Sequence, residues 1–351
     1  MRLASTIAGL LALAVPGILA AQVSIAKAFK INTANNDQGG CAWVGLANLE
    51  NMFADCYTLV NEGLQARKEY KTSPEAKRLL DAYFRLKSPA KDLTDAQLNT
   101  IAGNWMEDPG KIGINGGAKA TPYLFCHSTW LLRRQMTDPA WLTGRTEYKN
   151  KQGVTQRIMD IPEYVQMQKK QKAATKRVAV PYWSDKHNSY IFDQIYPGGG
   201  PNSGLCSAAG FEGATQHDLW PSTITLCPAS FGTTNTALNP VTRRLRSLAP
   251  APVTQANKAR AQKFSAIFGM NMPSAATLFH ELFHLVLGND DSTPAVGEIY
   301  SVDQMLTTTF DNAVDNAETF TAVAVAYDYT IHDTPVNGNR VEFYSGKVLK
   351  G

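Results

Sequence analysis

Cysteine is scarce in this chain and never close-spaced. The five present, Cys41, Cys56, Cys126, Cys206 and Cys227, include no CxxC pair, which excludes a thioredoxin-like redox motif and a structural zinc held by cysteines. No Asn-x-Ser/Thr acceptor occurs, so N-glycosylation is not expected. Charge of one sign is never concentrated: 34 basic and 30 acidic residues lie scattered along the chain and leave a net +4. A nucleic-acid-binding arm needs a basic cluster, so no nucleic-acid partner is expected. Internal repeats and low-complexity tracts are missing as well. After the first twenty residues no apolar run approaches the roughly 20 residues that a membrane span needs, so no membrane association is expected of the mature chain.

The first twenty or so residues are the exception. They carry one Arg, an apolar stretch broken by Pro16, and small residues at Ala20 and Ala21, the pattern of a signal peptide. Export into an oxidising compartment makes disulfides the expected fate of widely spaced cysteines, and an odd number leaves at least one thiol over. Residues 21–40 are polar, end in Asn, Asp and Gly, and read as a leader or linker, with order beginning near Cys41.

From Cys41 to residue 177 the chain reads as mostly helical. Apolar residues recur at helical spacing through 42–70, and Ser73 and Pro74 open a second helix that places Leu79, Leu80, Tyr83 and Phe84 on one side. A third helix is expected over Asp95 to Trp105. Nothing titratable clusters in these first hundred residues. Residues 106–160 read as irregular, and 162–177 as a solvated basic helix ending in a Lys176-Arg177 pair. Beyond them VAVPYW, SYIFDQIY and STITLCPASF alternate like strands. Two helices follow, one over 274–288 with Ser274 as its cap and Gly288 as its stop, the other from about Asp311. Helices first, then short strands, then helices imply an α+β fold in which 41–177 form a helical part, 178–335 a catalytic part and 336–351 a tail.

The chemistry lies in His280-Glu281-Leu282-Phe283-His284. Two histidines four apart on a helix share a face one turn apart, so their imidazoles can converge on one cation, and Glu281 sits where it can take a proton from a water on that cation. With six His and twelve Glu in the chain, chance produces this pattern in roughly one such sequence in three hundred, so the spacing is informative. The surrounding residues are nearly all apolar, and burying two imidazoles and a carboxylate among them costs several kcal/mol unless something pairs with them. One zinc ion is the expected partner. His127, His187 and His217 stand alone in their stretches, and His332 shows no meaningful spacing.

An open zinc site needs a third protein ligand, and three carboxylates follow: Asp290, Asp291 and Glu298. Asp290 stands at the metzincin distance from His284, but a Leu occupies the position where metzincins have Gly. Glu298 follows Pro294 and Gly297, which let the chain turn back, and the Tyr300 phenol two residues on can donate to a developing oxyanion.

Four segments occur in a telling order: ITLC at 224–227, HELFH at 280–284, GEIY at 297–300 and NAETF at 316–320. In this order the chain from about Cys206 to Tyr329 resembles the fungal deuterolysin family, the aspzincins, and the related lysine-specific metalloendopeptidases. The resemblance implies a zincin-like fold with a small sheet and an active-site helix. It implies Glu298 as third ligand, where the family has Asp, and Glu318 as the acid that fixes a zinc-binding histidine. It further implies a Cys206–Cys227 disulfide. The alternating segment STITLCPASFG is expected to be the edge strand that takes the substrate. The expected protein is a secreted, monomeric zinc endopeptidase acting on proteins or peptides, with Glu281 and Tyr300 as its catalytic residues. The alternative is a secreted zincin-scaffold binding protein or effector with little turnover.

Overall fold

The computed structural model describes residues 23–85, 92–106, 109, 120–175, 179–193, 204–208, 210–216, 219–231, 272–288, 291–332, 341–342 and 349–350. The signal-peptide segment, the Lys176-Arg177 pair, His217 and Asp290 lie outside them. Nine helices are named here in chain order: α1 Ile25–Ala28, α2 Leu46–Lys68, α3 Pro74–Leu80, α4 Asp95–Gly103, α5 Pro162–Thr175, α6 Ala275–Leu287, α7 Val302–Met305, α8 Phe310–Val314 and α9 Ala317–His332. The strands are β1 Lys30–Ile31, β2 Tyr123–Phe125, β3 Leu131–Arg133, β4 Trp141–Leu142, β5 Thr146–Glu147, β6 Val180–Ser184, β7 Ser189–Asp193, β8 Gly213–Gln216, β9 Thr223–Leu226, β10 Val341–Glu342 and β11 Leu349–Lys350. The result is a mixed α+β fold with small sheets.

Helix α2 is the central beam. Its buried side chains, among them Leu49, Phe53, Leu59 and Val60, pack against α6 and α9. One apolar cluster therefore runs from Ile25 through α2 and α6 to Tyr329, joining the helical front of the chain to the later helices. Trp105, just past α4, packs edge-on to Phe283 of α6 and Phe320 of α9, with ring centroids 6.1 and 5.0 Å away. The indole also lies against α2 at Gly63, where an added Cβ would stand 1.6 Å from Trp105 Cζ2. Only glycine fits so close an approach. Ser73 caps α3 by accepting from Ala76 N, and Leu79, Leu80, Tyr83 and Phe84 are all buried.

The sheet that borders α6 has the order β1-β2-β9-β8, with β1, β2 and β9 parallel and β8 antiparallel to β9. Two expectations change here. Residues 23–39 are not a free leader, because Ile25 and Phe29 enter the core and β1 pairs with β2. The disulfide between Cys41 and Cys126 fastens this segment in place. The second change concerns Thr223–Leu226, expected at the edge of the sheet: it lies inside, all four residues are buried, and Gly213–Gln216 is the edge instead. Cys206 and Cys227 form the other disulfide, joining the approach to β8 to the end of β9.

Residues 123–193 hold more order than their composition suggests. There β3, β6 and β7 form an antiparallel sheet over a small core of Ala140, Ile158, Ile161, Tyr164 and Ala179. No helix among the described residues is long and apolar enough to cross a membrane.

Candidate metal centre

Helix α6 owes its length to a run of Leu, Phe and Ala between Pro273 and Gly288. It ends where Gly288 adopts φ +89°, with its N–H donating to the His284 carbonyl at 3.0 Å. Ser274, expected to cap the start, has helical φ and ψ itself and its hydroxyl caps nothing. Most of the helix surface is covered, so His280, Glu281 and His284 are only 6%, 5% and 6% exposed.

The turn after the helix brings the third carboxylate back. Glu298 Oε1 lies 3.0 Å from His280 Nε2 and 2.7 Å from His284 Nε2, and the two Nε2 atoms are 3.2 Å apart. Such spacings are those of ligands sharing one ion at about 2.0–2.2 Å. Asp291 is exposed and is not part of the group.

Hydrogen bonds on the far side of each ring fix where the lone pairs point. His280 Nδ1 lies 2.9 Å from Glu318 Oε2, and a carboxylate can only accept, so the ring donates from Nδ1. His284 Nδ1 lies 2.8 Å from Ser292 Oγ, whose own proton goes to the Gly288 carbonyl, so this ring also donates from Nδ1. In the neutral form of each ring Nε2 is then bare, and the two Nε2 atoms face each other and the Glu298 oxygen. Three lone pairs at this distance repel unless a positive charge stands among them. The donor set, two imidazoles and a carboxylate, suits zinc and leaves a fourth position open.

The loop that carries Glu298 is held by a side chain at the start of α9. Asn316, fully buried, accepts from Ile299 N and donates to Ile299 O, both at 3.0 Å, and donates to Thr319 Oγ1 at 2.9 Å. The helix expected from about Asp311 is broken at this point into α8 and α9, because the Asn316 side chain is committed to the neighbouring loop. The Ala317 N–H to Ser292 carbonyl bond, 3.2 Å, adds a second tie.

Glu281 points to the sheet side. Its Oε2 accepts from Thr215 Oγ1 of β8 at 2.7 Å, and the same hydroxyl lies 3.0 Å from its carbonyl. Burial raises the Glu281 carboxyl above its ordinary range, while the two histidines and Thr215 work against that rise. Glu298 behaves in the opposite way: burial would raise it, but contact with His280 and His284 holds it well below the usual carboxylate range. Tyr300 donates to Glu298 Oε2, stacks its ring 5.9 Å from that of His280, and remains 62% exposed at the rim.

Two clefts meet at Glu281 and Tyr300. One of about 410 Å³ includes Phe211, Thr277 and Glu318, and the other, about 630 Å³, includes Ala214, Thr293 and Asp315. Gly213 lines both, and a Cβ there would come within 3.0 Å of Glu281 Oε1.

His280, Glu281, His284, Glu298, Tyr300 and Glu318 are thus gathered within one region, whereas Asp291 is not among them. Thr215 and Ser292 were not expected, and no spacing signal leads to them, since each reaches the site from a separate segment. Asn316 was visible only as part of NAETF, with no role attached. His187, set aside earlier, bonds to Ser184 and the Pro221 carbonyl away from the site. No protein-family model matches the chain, and no curated protein or solved structure matches it.

Proposed function

We propose that this chain is a secreted zinc endopeptidase of the zincin class, in which His280, His284 and Glu298 hold one zinc ion. The observation that carries the reading is the convergence of both bare Nε2 atoms on Glu298 Oε1 with the buried Glu281 carboxylate beside them. Zinc in such a site supplies Lewis acidity, which polarises a carbonyl and makes water acidic enough to ionise near neutral pH.

The chain's own groups do the rest. Glu281 takes the proton of the attacking water and delivers it to the leaving amine, aided by a carboxyl that burial has already raised. Tyr300 donates its hydroxyl to the oxyanion. Glu318 and Ser292 keep the imidazoles in the ligating tautomer.

A peptide, rather than a small molecule, is the substrate that the surroundings favour. Clefts extend to both sides of Glu281, and β8, which borders both, has no strand on its outer side among the described residues. An extended peptide can add to that edge, a part assigned from sequence to the strand now found inside the sheet. The similarity of ITLC, HELFH, GEIY and NAETF to the deuterolysin family supports the same reading. Two disulfides agree with an exported protein.

Digestion of casein by the purified chain, with and without a chelator, tests the proposal. Cleavage that chelation stops and added zinc restores is expected. Zinc bound without cleavage would instead favour a binding protein on the same scaffold.

A further inference from the structure

A second group of metal-ligating side chains lies away from this centre, between α2 and the C-terminal end of α9. Its members are Glu62, Asp328 and His332, each with one ligand atom within 4.8 Å of the others. Asp328 and His332 are one helical turn apart on α9, as His280 and His284 are on α6, while Glu62 reaches across from α2. Neither the helical reading of the first hundred residues nor the spacing of His332 had suggested a cluster here.

Asp328 is the decisive member. It is 0% exposed, and neither carboxylate oxygen has a hydrogen-bond partner. His332 Nδ1 stands 3.1 Å from Oδ1, but it is equally close, 3.1 Å, to the Asp328 carbonyl oxygen, which gives it a competing acceptor. Among the described residues no Lys or Arg pairs with Asp328 or Glu62. An ionised carboxylate buried without donors costs several kcal/mol, and the cost is removed by a proton or by a cation.

The surroundings favour the cation. Glu62 on α2 and Asp328 on α9 face each other across the helix pair, and the charge of Asp55 on α2 also acts on Asp328. Several carboxylates thus compete for positive charge at one place. A cleft of about 580 Å³ lined by Glu62, Glu69 and Glu75 borders the group and offers an acidic path of entry. Imidazole with two carboxylates is a donor set for a transition-metal dication rather than for calcium or magnesium, which prefer oxygen alone.

We propose that Glu62, Asp328 and His332 form a second divalent transition-metal site, independent of the first, which fastens the end of α9 to α2. Helix α9 carries Glu318 at its other end, so the ion would brace the element that orients His280.

The test is the number of zinc ions held by the full-length chain after equilibration with zinc sulfate and removal of loosely bound metal. Wild type should hold two per chain, His332→Ala one, His284→Ala one, and the double variant none. His332 is partly exposed, so its replacement leaves the fold intact, and Asp328→Asn should give the same loss as His332→Ala. One zinc in wild type that persists in His332→Ala would overturn the second site, as would two zincs in both His332→Ala and Asp328→Asn. A single zinc retained by His284→Ala but lost in the double variant would establish it, whatever becomes of the peptidase reading.

Discussion

Asn316 holds Ile299 by both of its backbone groups, the amide oxygen and nitrogen of one side chain each at 3.0 Å, one residue past the Glu298 carboxylate. A side chain that imitates a strand partner in this way fixes the loop more firmly than its lack of secondary structure suggests. Asn316→Ala leaves a buried N–H and C=O without partners and should destabilise the fold by about 2–4 kcal/mol. It should also weaken zinc binding by roughly tenfold or more, because Glu298 loses its support. Denaturant unfolding and a competitive zinc titration measure the two effects.

Glu281→Gln separates proton transfer from metal binding. Hydrolysis should fall by about 10²–10⁴ while zinc content at the α6 site stays at wild-type level, since Glu281 is not a ligand. His284→Ala should instead lose both the activity and this zinc. Assay with a fluorogenic peptide alongside elemental analysis distinguishes the variants.

If Glu298 is the third ligand as proposed, Glu298→Gln replaces its charge with a neutral amide oxygen and should weaken zinc at this site by well over tenfold. Asp291→Asn, at an exposed position outside the group, should change little. The contrast is read by zinc titration against a chelating dye, and equal losses in the two variants would count against Glu298 as a ligand.

Thr215→Val removes the hydroxyl that donates to Glu281 at 2.7 Å and keeps its shape. A hydrogen bond to a charged group is worth about 1.5–3 kcal/mol, so kcat should drop by roughly 10–100-fold with zinc content unchanged. An unaltered kcat would show that the carboxylate positions itself without β8.

Gly63→Ala sets two effects against each other. Alanine is favoured over glycine in a helix by about 1 kcal/mol, but its Cβ would stand 1.6 Å from the Trp105 ring. Displacing an indole that packs on Phe283 and Phe320 should cost about 1–3 kcal/mol or more, so net destabilisation is expected. Thermal and denaturant midpoints decide the sign.

What the sequence made legible was short-ranged. The paired histidines of α6, the glycine that stops the helix and the cap of α3 are written within a few residues of one another. The edge of the sheet was misread because TITL looks like an alternating half-buried strand, whereas burial of all four residues requires a neighbour on each side. Thr215, Ser292 and the Glu62–Asp328–His332 group escaped for a common reason: each depends on segments brought together only by tertiary packing. Residues 23–39 were misjudged by composition, since two buried side chains, Ile25 and Phe29, and one disulfide outweigh a polar average.

Cys56 is the one described cysteine left as a thiol, fully buried on α2 and directed at the Ala275 carbonyl, with burial and Asp55 pushing its ionisation well above the usual thiol range. Because the thiolate is the attacking species in disulfide exchange, the folded chain keeps its two bridges safe from its own fifth sulfur. Unfolding removes that protection. Two bridges drawn from five cysteines can be arranged in about fifteen ways, and an exposed Cys56 opens routes among them. In an oxidising medium the working lifetime of this protein is then governed by how rarely it unfolds rather than by an equilibrium it returns from.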